Sequence, residues 1–155
     1  MSDNNNIQAN TSYADHRFQF SSPGLGKTGQ YQMSGIPFLS SSFLVPNILE
    51  GQGAVSLSFP YVTKFITVVN EHSGSNVKMR VGFTAAGITG SGSPSGHGEN
   101  YFILDNGESY TAEFRVSKVF IAGQGADCTA SVIAGMTGIN ADRLATNWSG
   151  TSGVG

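Results

Sequence analysis

Gly26-Lys27-Thr28 carries the last three residues of a phosphate-binding loop, in which backbone amides and a lysine cradle phosphates. That loop also needs a glycine five positions before the Gly, where Ser21 stands, with a strand before it and a helix after it. None of these surrounds residues 21–28, so nucleotide binding is not expected. His16, His72 and His97 have no second ligand at helical or hairpin spacing, so no metal site is expected. Cys128, the lone cysteine, opens an apolar stripe with no histidine close in sequence to take its proton; it reads as a small hydrophobe. Asp105, Glu108 and Glu113 lie in or beside turn residues and read as solvated carboxylates. No acid, base and nucleophile come together. The chain is expected to be no enzyme, with no catalytic, cofactor-binding or metal-binding residues.

Composition points the same way. The 155 residues suffice for one domain with its own core. Charged residues make up 12% of the chain, against about 25% in an average globular domain, and 21 glycines with many Ser, Thr and Asn replace them. Such a surface suits contact with neighbours better than life as a free monomer. Eight basic residues are scattered singly and the net charge is −2, which leaves no electrostatic footprint for nucleic acid. One cysteine excludes an intrachain disulfide and a cysteine-built zinc site. No apolar run approaches the roughly 18 residues of a membrane span, and the polar start Met1-Ser2-Asp3-Asn4 has no signal-peptide pattern. The sequons at Asn10 and Asn147 read as chance matches in that setting.

The elements that would position any site are strands. Val55, Leu57 and Phe59 alternate with serines; Val77, Met79, Val81 and Phe83 alternate with Lys78, Arg80, Gly82 and Thr84. Tyr110, Ala112, Phe114 and Val116 form a third stripe, and Ala130, Val132, Ala134 and Met136 a fourth. Strict alternation marks half-buried strands, because successive side chains point to opposite faces. The continuous runs Phe65–Val69 and Val119–Ile121 predict strands covered on both sides. Strands are expected at 31–39, 53–59, 62–70, 77–84, 100–104, 109–116, 117–122 and 129–137, with turns at Phe59-Pro60, His72–Ser75, Asp105-Asn106-Gly107 and Gly123-Gln124-Gly125. No amphipathic helix of ten residues is legible. The expectation is an all-β, eight-stranded jelly-roll sandwich over residues 29–145, an immunoglobulin-like sandwich being the other topology the pattern allows.

Residues 1–28 read as an extended arm with aromatic spots at Tyr13, Phe18 and Phe20, and 146–155 as a flexible tail containing Trp148. Those aromatics are candidate assembly anchors. The Gly/Ser-rich stretch at 86–99 reads as a flexible loop at the outward end of the sandwich.

Ser22-Pro23-Gly24-Leu25, then 30–38, then 58–70 (SFPYVTKFITVVN), Lys78–Phe83, Lys118–Ile121 and 134–139 leading to Arg143-Leu144 run in order over most of 20–150. Together these segments resemble the single jelly-roll penton, or vertex, proteins of large icosahedral double-stranded DNA viruses. The Gly/Ser loop at 87–98 and Arg115-Val116-Ser117 depart from the family pattern. The resemblance implies a homopentamer at the five-fold vertices, ringed by trimers of the major capsid protein, with the arm reaching beneath the shell toward minor capsid proteins. It implies a virion component, assembled in the host cytoplasm, with no direct membrane span and no nucleic-acid contact. A carbohydrate- or receptor-binding sandwich is the alternative, with Tyr61, His97, Tyr101 and Asp105 as the rim residues that would have to converge. A capsid decoration protein is a third.

Overall fold

The computed structural model describes residues 35–48, 53–74, 76–89 and 100–144. They form two four-stranded antiparallel sheets packed face to face. The strands are β1 (Ile36–Val45), β2 (Val55–Ser58), β3 (Tyr61–Asn70), β4 (Lys78–Gly82), β5 (Tyr101–Leu104), β6 (Ser109–Ala112), β7 (Lys118–Gln124) and β8 (Cys128–Asn140). One sheet runs β1-β8-β3-β6 and the other β2-β7-β4-β5. The pairing is nested: first with last (β1 with β8), then β2 with β7, β3 with β6 and β4 with β5. Every connection except 83–100 crosses from one sheet to the other.

The stripes legible in the sequence make the core. Ala130, Val132, Ala134 and Met136 from β8 face Met79, Val81, Val119 and Ile121 from the opposite sheet, all at most 3% exposed. Val55 and Leu57 pack against this core from β2, with Phe59 buried just beyond it. Phe59 meets Phe38 edge to face at 4.9 Å, an arrangement aromatic quadrupoles favour.

Four sequence expectations need correction. The runs at 65–69 and 119–121 are not buried on both faces: Ile66 and Val68 are buried while Phe65, Thr67 and Val69 are half exposed, and Phe120 is half exposed between Val119 and Ile121. Both faces are apolar, which hides the alternation. The strand expected at 109–116 stops at Ala112, because the chain must leave one sheet and enter the other at β7. Thr63 holds that crossing: its Oγ1 donates to the carbonyl of Phe114 (2.7 Å), and its backbone N–H donates to that of Val116 (3.0 Å). The loop expected at 86–99 begins as a short helix, α1 (Ala85–Thr89), whose amide of Gly87 is capped by Thr84 Oγ1. Finally, β1 lies at 36–45 rather than 31–39, and residues 31–34 fall outside the described residues.

That shift in β1 has a cause. Ser41 and Ser42 together oppose Ser131, a β-bulge, and Ser42 takes φ of 52°. The bulge swaps which residues face inward, so the alternation seen before it does not continue after it. A carboxylate secures the strained backbone. Glu71 accepts hydrogen bonds from the hydroxyls of Ser42 (3.0 Å) and Ser131 (2.6 Å), while Ser131 Oγ accepts the Ser42 N–H (3.0 Å).

α1 folds back over the outward face of the β2-β7-β4-β5 sheet. Ile88 is fully buried there beside Gly82, and Arg80, also outward, donates to the Ile88 carbonyl (3.2 Å). Arg80 further bonds Gln124 (2.9 Å) and stacks over Tyr101 at 4.3 Å.

Close approach governs Gly123. The chain before β2 passes it in a parallel bridge with Asn47, and its N–H donates to the Pro46 carbonyl (2.8 Å). A Cβ there would collide with the Ala126 carbonyl. Gly123→Ala is expected to cost about 3 kcal/mol, an overpacking penalty, seen as a lower midpoint in urea unfolding. An unchanged midpoint would show that this turn yields freely.

Candidate functional site

The sandwich has two different ends. At one, Gly35 enters β1, Asn140 leaves β8, and the 83–100 excursion departs and returns. At the other stand the connections 46–54, 71–77, 105–108 and 125–127.

The arm at 1–28, the tail at 146–155, His16, His97, Trp148, both sequons and the Gly26-Lys27-Thr28 sequence lie outside the described residues. Of the four rim residues, the three that are described do not converge. Tyr61 opens β3 and Asp105 lies beside its far end, separated by the ten-residue strand, about 30 Å at the usual rise. Tyr101 sits at the far end of β5 from Asp105, under Arg80.

The end away from the chain connections is organised by a buried asparagine that the sequence did not advertise. Asn70 is fully buried; its Nδ2 donates to the carbonyls of Val77 and Leu104 (3.2 Å each), and its Oδ1 accepts the His72 N–H. Its backbone bonds Glu108 and Gly107. One side chain thus ties 71–77 to the 105–108 turn, where Gly107 has φ of 72°. Asn106 Oδ1 adds a bond from the Val77 N–H (3.0 Å), Glu108 accepts the Asp105 N–H (2.9 Å), and Lys78 pairs with Asp105 (3.5 Å). Between them opens a polar groove of about 320 Å³ lined by Asn76, Lys78, Asp105 and Asn106. It offers donors and acceptors for a polar ligand and no aromatic platform.

His72 stands in the 71–77 connection, and among the described residues no group of three or more His, Cys, Asp and Glu is placed to hold a metal ion. Cys128 is buried at the start of β8. Burial, and secondarily the Asp127 carboxylate, push its thiol from the ordinary 9.0 up to about 11. That shift keeps it protonated at neutral pH and unsuited to attack as a thiolate.

The broad surfaces differ more than the ends do. One outward face lies under α1. The other, on β1-β8-β3-β6, shows Leu39 (70% exposed), Leu44 (67%) and Ile133 (41%), with Leu39 directly opposite Ile133 in the ladder.

No family model matches the chain, and no curated protein matches it. Among solved structures, a chain from work on Bacillus endospore appendages, described as a novel family of disulfide-linked pili, is similar at 12% identity, covering 67% of this chain and 94% of that one with a TM-score of 0.28. A likeness that slight carries no argument about fold or role.

Three measurements test these assignments. Asn70→Ala strips two buried carbonyls of their donor and is expected to lower stability by about 2–3 kcal/mol in chemical denaturation. A loss under about 0.5 kcal/mol would mean water replaces the amide. At pH 8, a thiol reagent should label native Cys128 about a hundredfold more slowly than the guanidinium-unfolded chain, since a pKa of about 11 leaves that much less thiolate than 9.0. Ionisation above pH 9 favours the unfolded chain, so stability should fall between about pH 9 and 11. Equal labelling rates would place the thiol in solvent.

Proposed function

We propose that this chain is a jelly roll and a non-enzymatic capsid protein, forming pentamers at the five-fold vertices of an icosahedral virion. The observation that carries the reading is the nested pairing: β1 with β8, β2 with β7, β3 with β6 and β4 with β5, split into sheets ordered β1-β8-β3-β6 and β2-β7-β4-β5. This is the arrangement made by rolling one long hairpin into two sheets, and capsid domains use it widely. Four of the segments that carry the vertex-protein resemblance fall on its framework, at β3, β4, β7 and β8.

In this reading five copies close a ring through a heterologous contact, which terminates when the rotation closes. Trimers of the major capsid protein would surround it. The low charge of the chain favours such crowding. The arm would reach beneath the shell toward minor capsid proteins. A second reading, a carbohydrate- or receptor-binding sandwich, draws support from the polar groove at Asn76, Lys78, Asp105 and Asn106.

Native mass spectrometry of the purified chain over a range of concentrations tests the proposal. A species at about five times 16.2 kDa is expected. A trimer would overturn the vertex reading in favour of a decoration protein or an adhesin.

A further inference from the structure

We infer that the outward face of the β1-β8-β3-β6 sheet is the surface on which a second copy of this chain seats. The inference rests on the vertex reading and adds to it the contact that closes the ring.

The two outward faces are unequal. α1 lies over one, with Ile88 buried beside Gly82 and its carbonyl accepting a hydrogen bond from Arg80. Among the described residues nothing comparable covers the other, where Leu39, Leu44 and Ile133 remain exposed and Phe65 and Val69 are half exposed. Leu39, Ile133, Thr67 and Thr111 lie in one continuous row across all four strands, so the apolar groups form part of a single surface. The ten residues of β1 include no charge; Lys64, in a bulge of β3 at the margin, is already paired with Glu113 at 3.4 Å, and the Glu71 carboxylate just past the end of β3 already accepts the Ser42 and Ser131 hydroxyls. Desolvating this face therefore strips few ions of water, which is the usual obstacle to burying a surface.

Its size fits a protein partner of the same kind. Four strands about 4.8 Å apart and ten residues at about 3.3 Å each give roughly 600 Å² per copy, near the 800 Å² per partner typical of a specific interface. The bulge at Ser41-Ser42 twists the β1 edge, which discourages strand-to-strand continuation and favours docking through the face. A second copy offers its α1-covered side or its edges as a different, complementary surface, the condition for a closed heterologous ring.

The test compares the wild-type chain with the double variant Leu39→Glu and Ile133→Glu by native mass spectrometry, with circular dichroism melting as the folding control. Both positions are exposed enough that the melt should be preserved; if it is not, Leu44→Glu, at 67% exposure, takes the same comparison. The assembled fraction at a given concentration is expected to fall at least tenfold in the folded variant. Assembly equal to wild type would overturn this face while leaving the pentamer standing. A wild-type oligomer other than a pentamer, lost in the variant, would keep the face and overturn the vertex reading. A wild type that is monomeric throughout would overturn both.

Discussion

The structure depends on β8. Its thirteen residues pair with β1 on one side and β3 on the other, and its inward side chains form the floor of the core. Cys128, Ala130, Val132 and Ala134 are small, so the opposite sheet can approach closely enough for Met79, Val81, Val119 and Ile121 to fill the space between. A larger side chain at Ala130 or Ala134 would wedge the sheets apart. The same strand supplies Ser131 to the Glu71 network and Ile133 to the outer surface. One strand therefore sets the spacing of the sheets, the course of the β1 edge and the character of the exposed face.

Polar devices act where the chain changes direction. Thr63 fastens the crossing from β6 to β7, Asn70 ties together two connections at one end, and Glu71 holds the bulge in β1. Thr63 and Asn70 bond backbone carbonyls where the chain leaves a sheet, and Glu71 braces the serines of the bulge through their hydroxyls. The sandwich has an apolar interior of simple composition and a small number of polar residues that decide its route.

This division explains what was legible in the sequence. Stripes at 55–59, 77–83 and 130–136 stand out because period-two burial writes itself directly into residue type. α1 escaped notice because five residues with one buried apolar side chain, Ile88, carry no helical period. The C-terminal half of β1 escaped because two serines facing one residue shift the phase of the pattern. Asn70 was invisible for another reason: its partners are backbone carbonyls seven and 34 residues away, and any sequence supplies carbonyls. Likewise, Tyr61, Tyr101 and Asp105 looked combinable only because strand length and direction are not written in composition. The sheet-level surfaces, which depend on what lies over each face, could not be read from single strands at all.

The placement of both chain connections at one end has a mechanical consequence. β1 begins there and β8 finishes there, and the two are antiparallel neighbours. Tension applied through both connections would peel their ladder one rung at a time, as a zipper opens, because each rung meets the force in turn. Strands pulled from opposite ends share the force across every rung at once and yield far less readily.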